Sequence, residues 1–350
     1  MLTAALSIGE MDMQLSLMAL KRAGIVTIAF LAVTACSQGK QASENTPTAV
    51  KAKAETVKAA DIDMTVTVLG SGTPIPAADQ YGPSVLVQAG GLDLLFDCGR
   101  GCTSRLVQVD RSLITSVKNL FITHLHSDHI VGIDDLWMNG WTQGRNDPLT
   151  VTGPTGTKDF FTHLKAAFSE DIRIRLVKGI PSTSDGIAMA MTDIAEDQVV
   201  FEKDGVTVTS FLVDHQPVEP AFGYRIDYAG RSVVISGDTT FSENLVRNSM
   251  GADVILHEVL SPSMVGYLKD NFTEKQMNSV LAIHTTTEQA AEIFAETKPR
   301  LGVYYHTRNS AKDQAGLIAV TGETFDGDVV VAKDLTQIKI GDEITTSVLD

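Results

Sequence analysis

The sequence has few positive charges. It contains 28 lysine and arginine residues against 43 aspartate and glutamate residues, which gives a formal net charge of −15. Proteins that bind nucleic acid usually present a basic face, and no cluster of lysine or arginine in this sequence would supply one. The composition therefore argues against a nucleic-acid partner and favours small or uncharged substrates over polyanions.

The N-terminal apolar run is too short to be a typical membrane span. This run, "AGIVTIAFLAV", follows Lys21 and Arg22 and ends at Val33-Thr34-Ala35-Cys36, which resembles the lipobox of bacterial lipoproteins. We therefore interpret residues 1–36 as a lipoprotein signal peptide in which Cys36 receives the lipid. A plain secretory signal or membrane anchor is the alternative interpretation.

The residues that follow Cys36 predict an exported, tethered protein. Residues 37–62 begin with a polar, alanine-rich stretch without apolar periodicity, which is typical of a flexible tether, and residues 63–350 form the predicted globular domain. A serine after Cys36 favours the outer membrane, so we expect a lipid-anchored periplasmic protein. In that oxidising compartment Cys98 and Cys102 could pair, but two buried thiols are the preferred interpretation.

The globular domain alternates between strand and helix patterns. Helical periodicity appears at 130–141, 157–168 and 286–296. Strands outnumber these helices and interleave with them, which predicts a layered α/β architecture. The predicted strands are 64–70, 84–90, 92–99, 119–124, 149–154, 205–215, 221–227, 231–238, 252–258 and 301–306.

Metal-ligating side chains concentrate in the stretch "THLHSDHIVG". His124 and His126 are two residues apart in an extended segment, so both side chains point to one side and can hold one ion. Asp128 and His129 fall where the chain turns into a helix and can reach a second ion. Imidazole and carboxylate ligands suit zinc and its first-row neighbours.

Further candidate ligands stand at the ends of later strands, where loops begin and ligands tend to bind. His215 completes the predicted set with His124 and His126, and His306 completes the set with Asp128 and His129. Asp238 remains to bridge the two ions. We therefore predict a dinuclear site with two Zn²⁺ ions, Mn²⁺ or Fe²⁺ being the alternative metals.

These motifs resemble the metallo-β-lactamase superfamily over nearly all of residues 64–335. The segments "GSGTPIP", "LLFDCGRG", "FGYRI", "SGDT" and "HE" are most similar to its ribonuclease Z and arylsulfatase branch. The resemblance implies a four-layer αββα sandwich with the dinuclear site at one edge. It also implies that Asp97 orients a metal ligand, and that His284 lies near the leaving group, where Thr285 and Glu288 are expected to form a helix capping box.

The resemblance implies hydrolysis of an ester by a hydroxide that two metal ions share. Asp128, His284 and Glu258 are the candidate catalytic residues, and His284, supported by Glu258, is expected to protonate the leaving group. Trp137 and Trp141 are expected to be core residues, with the wall of an aryl pocket as the alternative.

Departures from the branch favour an exported arylsulfatase-like enzyme over tRNA processing. The sequence between 150 and 215 has no Gly/Pro-rich arm of the kind that grips tRNA, and "HEVL" and "HTTT" replace the branch's usual "HEAT" and "HST". The predicted substrate is a small sulfate ester. The alternatives are a ribonuclease Z-like phosphodiesterase, a lactonase and a non-catalytic metal-binding envelope protein. A homodimer is compatible with the sequence.

Overall fold

The computed structural model describes residues 62–179 and 184–350. The predicted signal peptide and almost all of the predicted tether lie outside these residues, and the first strand begins at Ile62. Within the described residues, no helix combines the length and the apolar character needed to cross a membrane.

The first of two sheets carries the N-terminal half of the domain. Its eight strands lie in the order β15-β14-β1-β2-β3-β4-β5-β6, and strands β3 to β6 run parallel. Within the described residues its strands are β1 (Ile62–Gly70), β2 (Ser84–Ala89), β3 (Leu92–Phe96), β4 (Asn119–Phe121), β5 (Leu149–Pro154), β6 (Met189–Ile194), β14 (Thr336–Gly341) and β15 (Ile344–Val348).

The second sheet carries most of the C-terminal half. Its seven strands lie in the order β13-β12-β11-β10-β9-β8-β7, with β10 to β13 parallel. Within the described residues its strands are β7 (Gln198–Lys203), β8 (Val206–Val213), β9 (Ala221–Tyr228), β10 (Arg231–Ile235), β11 (Val254–Glu258), β12 (Leu301–Tyr305) and β13 (Val329–Val331).

Helices connect the strands. Those before residue 180 are α1 (Cys102–Val109), α2 (Leu113–Ser116), α3 (Ser127–Ile130), α4 (Ile133–Thr142), α5 (Thr157–Ala167) and α6 (Ser169–Lys178). Those after residue 183 are α7 (Glu243–Ser249), α8 (Pro262–Asn271), α9 (Glu274–Leu281), α10 (Thr287–Thr297) and α11 (Ala311–Thr321), with one 3-10 turn at Asp185–Ile187.

Three apolar clusters fill the spaces between these layers. The central cluster joins the facing sides of the two sheets, through residues such as Phe96 and Phe121 on one sheet and Tyr224 on the other. A second cluster lies between the first sheet and helices α1 to α6, and a third lies between the second sheet and α7, α10 and α11. The predicted four-layer αββα sandwich is confirmed.

Several local predictions needed correction. The capping box at the start of α10 is formed by Thr286 and Gln289, not by Thr285 and Glu288. Cys98 and Cys102 form a disulfide, so the expectation of two buried thiols is wrong. A disulfide that closes so short a loop still restricts the unfolded chain.

The two tryptophans are core residues. Trp137 and Trp141 are fully buried in the cluster between the first sheet and its helices. The indole nitrogen of Trp137 donates to the carbonyl oxygen of Ile187 at 3.1 Å. Because these rings face the core and not an open cavity, they do not form the wall of an aryl pocket.

Candidate metal centre and its proton donor

The central metal-ligating segment is a tight loop between β4 and α4. His126 caps the four-residue helix α3 in an extended conformation, and Asp128 and His129 follow in its first turn. The backbone of Cys98 fixes this loop, since its N–H donates to the carbonyl of His129 at 2.8 Å and its carbonyl accepts from Gly132 at 2.9 Å. A Cβ atom on Gly99 would lie 2.3 Å from the carbonyl oxygen of Asp128, so only glycine permits this approach.

Three histidines and one aspartate form the first group of candidate ligands. Nε2 of His124 and Nε2 of His215 lie 3.0 Å and 3.2 Å from Nδ1 of His126. A carboxylate oxygen of Asp238 lies 3.8 Å from His124 and 3.9 Å from His215. One ligand atom from each of the four residues therefore falls within 4.8 Å of the others.

The second group contains Asp128, His129 and His306, whose ligand atoms also lie within 4.8 Å of one another. Asp128 Oδ2 is 3.7 Å from Nε2 of both histidines. Asp238 touches this group as well, with Oδ1 at 3.3 Å from His129 and Oδ2 at 3.2 Å from His306. The structure thus brings together all seven predicted ligands, with Asp238 between the two groups.

Hydrogen bonds hold the protons of three imidazoles away from the centre. Nδ1 of His215 donates to the carbonyl of Ile283, and Nδ1 of His306 donates to the carbonyl of Gly72, at 2.8 and 2.7 Å. Nδ1 of His129 lies 2.8 Å from Asp97 Oδ2 and donates to it. With these protons placed outward, the inward Nε2 atoms carry the lone pairs that a metal ion needs.

Thr123 extends the same arrangement to His124, and sequence reasoning missed it. Its hydroxyl donates to Asp97 Oδ2 at 2.8 Å and lies 3.0 Å from Nδ1 of His124, so it accepts the imidazole proton. Asp97 therefore orients two ligands, one directly and one through Thr123. Asp97 and His306 both adopt left-handed backbone conformations, with φ of 54° and 48°, and such strain collects at functional sites.

A second group that the sequence did not reveal holds the loop after β1. Buried Asp334 accepts hydrogen bonds from the backbone of Ser71 and of Tyr81 and pairs with Arg105 at 2.9 Å. This loop supplies the Gly72 carbonyl to His306. Asp334 gives no local signal, because its partners are more than 200 residues away in the sequence.

The chemistry of the donor set fits divalent metal ions. Asp128 Oδ2, His129 Nε2 and Asp238 Oδ1 are buried and have no hydrogen-bond partner among the described residues. Buried polar atoms without partners are costly, and a cation held between the two groups would satisfy all three. These groups could hold metal ions, with the imidazole and carboxylate ligands typical of zinc.

The electrostatics of the site agree with that fit for His124 and Asp238. Burial, together with the neighbouring His129, lowers the pKa of His124 well below its usual value, which keeps the imidazole neutral. Burial would raise the pKa of Asp238, but His306 and His129 outweigh it and hold that pKa well below its usual range. A neutral imidazole and an ionised carboxylate are the states that bind metal. For His129 and His306, burial would lower the pKa, but Asp238 outweighs it and raises the pKa of both, so a cation bound beside them would have to displace a proton.

An imidazole–carboxylate pair stands beside the ligands. Nδ1 of His284 lies 2.9 Å from Glu258 Oε1, and the same oxygen accepts the backbone N–H of Thr239 at 3.0 Å. Burial alone would lower the pKa of His284, but the charge and hydrogen bond of Glu258 raise it to about 9. His284 is therefore protonated at neutral pH. His257, the adjacent strand-end histidine, is buried against Phe294 and does not join the site.

The chain is similar to proteins of known families over most of the described residues. The family described as "Anti-Pycsar protein Apyc1" matches residues 64–315. A ribonuclease Z from Mycobacterium sp. (strain KMS) is 36% identical over 240 residues, which cover 68% of this chain and 80% of the relative. A ribonuclease Z from Mycolicibacterium gilvum (strain PYR-GCK) is 32% identical over 282 residues, 79% of this chain and 96% of the relative.

A solved structure shows the same fold. The metallo-β-lactamase fold protein YhfI from Bacillus subtilis aligns with a TM-score of 0.60 and 22% sequence identity. The alignment covers 81% of this chain and 99% of YhfI. At this sequence identity the alignment shows only that the two proteins have the same fold. Both candidate ligand groups therefore lie in a fold that YhfI also has.

Proposed function

We propose that this chain, which belongs to the Apyc1 family within the ribonuclease Z-like branch of the metallo-β-lactamase superfamily, is a metal-dependent phosphodiesterase. It is a metallo-hydrolase by family. One observation carries the proposal: the candidate ligands converge around Asp238 beside the His284–Glu258 pair, in a chain whose relatives are named ribonuclease Z. A ribonuclease cleaves phosphodiester bonds.

The proposed reaction uses two divalent cations, with zinc best matched to the ligands. When bound, such ions polarise a phosphoryl oxygen and lower the pKa of a water molecule toward 7. His124, His126 and His215 would hold one ion, and Asp128, His129 and His306 the other, with Asp238 shared. Asp97 and Thr123 keep the imidazoles of the two groups at fixed angles.

The leaving oxygen takes its proton from His284. Because Nδ1 is bound to Glu258, Nε2 is the nitrogen free to face the substrate. Water adds to phosphorus, the bond to the leaving oxygen breaks, and that oxygen takes the Nε2 proton. The proton released by the attacking water restores the imidazolium, so the enzyme returns to its starting state.

A phosphodiester is a better-supported substrate than the sulfate ester that the sequence analysis favoured. The same ligands and proton donor would serve a sulfate ester, but relatives at 36% and 32% identity carry the name ribonuclease Z. A lactonase has no comparable support. The His284–Glu258 pair argues against a non-catalytic metal-binding role, since storage of a metal needs no leaving-group acid.

The experiment that tests this proposal compares four substrate classes, of which the phosphodiester and the sulfate ester share the leaving group 4-nitrophenol. Zinc-loaded protein is assayed side by side with bis(4-nitrophenyl) phosphate, 4-nitrophenyl sulfate, a homoserine lactone and a β-lactam. We expect kcat/KM for the phosphodiester to exceed every other value by roughly 100-fold, which corresponds to about 2.7 kcal/mol of transition-state discrimination. A larger kcat/KM for the sulfate ester would replace the proposal with the arylsulfatase hypothesis.

Two variants control this assay. Asp238→Ala should abolish turnover, because it removes the carboxylate shared by both ligand groups. Asp159→Ala removes an exposed carboxylate on α5 and should leave turnover unchanged. Activity that survives Asp238→Ala would belong to a contaminant or to another site.

A further inference from the structure

An apolar cavity of about 190 Å³ opens beside the candidate metal centre. Its lining includes polar groups of the site, Glu258, His284 and His306. Most of the remaining lining is apolar or aromatic and comes from the loop after β1 and from α8, α9 and the turn between them, with residues such as Ile75, Met264, Tyr267, Leu268, Phe272 and Val280.

Helix α8 contributes much of this apolar lining. It begins at a Ser261 cap with a proline in its first turn, which fixes its start. Met264 and Leu268 are four residues apart on one helical face, and both are buried where they line the cavity. The cluster that they form with neighbouring side chains is separate from the three clusters of the main core.

Two aromatic rings complete the wall. Tyr267 and Phe272 make an edge contact with centroids 6.1 Å apart, and the guanidinium of Arg308 lies 5.6 Å from the Tyr267 ring. Both side chains retain solvent exposure, with Phe272 at 40%. Partly exposed aromatic rings beside a reactive centre can contact an apolar ligand without first leaving the core.

The volume and lining of the cavity limit what can enter. An engineered apolar cavity of about 150 Å³ takes up benzene, so about 190 Å³ accommodates one six-membered ring with a small substituent. Among the described residues, no lysine or arginine lines the cavity. The His284 imidazolium in the lining is already paired with Glu258, so an anionic group placed against the apolar side chains would lose hydration without a free cationic partner there.

We propose that this cavity receives the departing alcohol of the substrate, and that this alcohol is a small, uncharged, apolar or aryl group. The inference rests on the proposed phosphodiesterase function and narrows its substrate class. His284 lines the same cavity, so an alcohol held there has its oxygen beside the proton donor. A polynucleotide leaving group would bring a phosphate charge toward an apolar wall, which the lining disfavours.

Binding of the product alcohol tests the inference without relying on turnover. We measure the Kd of 4-methylphenol and of 4-hydroxybenzenesulfonate with zinc-loaded, full-length protein by ligand-observed NMR titration. The uncharged phenol should bind at least roughly tenfold more tightly than the sulfonate, because the charge must be desolvated. Equal binding of the two ligands would overturn the inference.

Variants of the two aromatic residues test whether the cavity contributes to substrate binding in the reaction. Tyr267→Ala and Phe272→Ala should each raise the Kd for 4-methylphenol, and the KM for methyl 4-nitrophenyl phosphate, by roughly fivefold. The value of kcat should change by less than about twofold, since neither residue touches the reacting atoms. Lys269→Ala, at an exposed position on the same helix outside the cavity lining, should leave both constants unchanged.

The outcomes separate the two proposals. Turnover of the phosphodiester with unaltered KM and Kd in both aromatic variants would overturn the cavity inference and leave the proposed function standing. Selective binding of the phenol without turnover of any phosphodiester would overturn the proposed function, and with it the assignment of the cavity to a departing alcohol.

Discussion

At the scale of single residues, the orientation of imidazole protons defines the candidate metal centre. The ligands themselves can be predicted from sequence, because two-residue spacing and strand ends bring His124, His126 and His215 to one edge. Of the groups that receive their protons, only Asp97 was predicted, and it was predicted from the family resemblance. Thr123, next to His124 in the sequence, and the distant backbone carbonyl of Ile283 belong to no pattern that marks them as proton acceptors.

The role of His284 as proton donor predicts a dependence on the leaving group. His284→Ala should keep the metal content of the protein and slow phosphodiesters with poorly acidic leaving alcohols by roughly 10²- to 10⁴-fold. Esters of 4-nitrophenol need little protonation and should be slowed much less. Steady-state kinetics on both substrate classes, with metal analysis of the variant, provide the measurement. Equal slowing of both classes would assign His284 to substrate positioning instead.

The pKa of His284 predicts the alkaline limit of activity. Since only the protonated imidazole can donate, kcat for a poor leaving group should fall as pH rises through about 9. Glu258→Gln removes the charge that raises this pKa, so the alkaline limb of the pH–rate profile should move to lower pH. A limb at the same pH in wild type and Glu258→Gln would show that another group controls it.

At the scale of elements, long periodic segments were predictable and short irregular ones were not. The predicted helix at 157–168 corresponds to α5, and the one at 286–296 corresponds to α10 shifted by one residue. The predicted helix at 130–141 corresponds to α4. Seven of the described helices were missed, namely α1, α2, α6, α7, α8, α9 and α11. Helix α8 carries Gly266 in its middle and its apolar residues serve a small local cluster, so it lacks the pattern of a core-facing helix.

Gly266 gives a prediction for α8. A Cβ atom at this position would meet nothing within 4 Å, so Gly266→Ala adds helix propensity without a steric cost. The variant should raise the free energy of unfolding by roughly 0.8–1.0 kcal/mol in urea titrations. Destabilisation by Gly266→Ala would mean that α8 needs the glycine for packing.

Gly99→Ala is the contrasting variant. It would place its Cβ 2.3 Å from the Asp128 carbonyl oxygen and should reduce both the free energy of unfolding and the metal content.

At the scale of the whole molecule, the alternation of strands and helices was sufficient to predict the layered architecture. Five of the described strands were not predicted. The edge strands β7 and β15 are largely exposed and have no buried face to generate alternation, and β6 and β13 also lie at sheet edges. Strand β14 lies inside the first sheet and alternates in burial, and it was missed as well. The central strands β8 to β12 alternate or are continuously apolar because they are covered on one or both sides. Burial of one or both faces therefore made strands β8 to β12 predictable from the sequence.

The anchoring of the molecule remains a prediction from residues outside the described part of the chain. If Val33-Thr34-Ala35-Cys36 is a lipobox, Cys36→Ala should abolish labelling with a radioactive fatty acid and release the protein from the membrane fraction. Ser37→Ala serves as the matched neighbour and should retain the label. Unchanged labelling of Cys36→Ala would disprove the lipoprotein interpretation without affecting the assignment of the hydrolase domain.

Stepwise zinc addition to metal-free protein, followed by hydrolysis of bis(4-nitrophenyl) phosphate, tests the central claim of a dinuclear phosphodiesterase most directly. We predict that activity rises with zinc and reaches its plateau near two equivalents per chain, and that Asp238→Ala shows neither the plateau nor the full metal content. A plateau at one equivalent, with full activity in Asp238→Ala, would contradict the account.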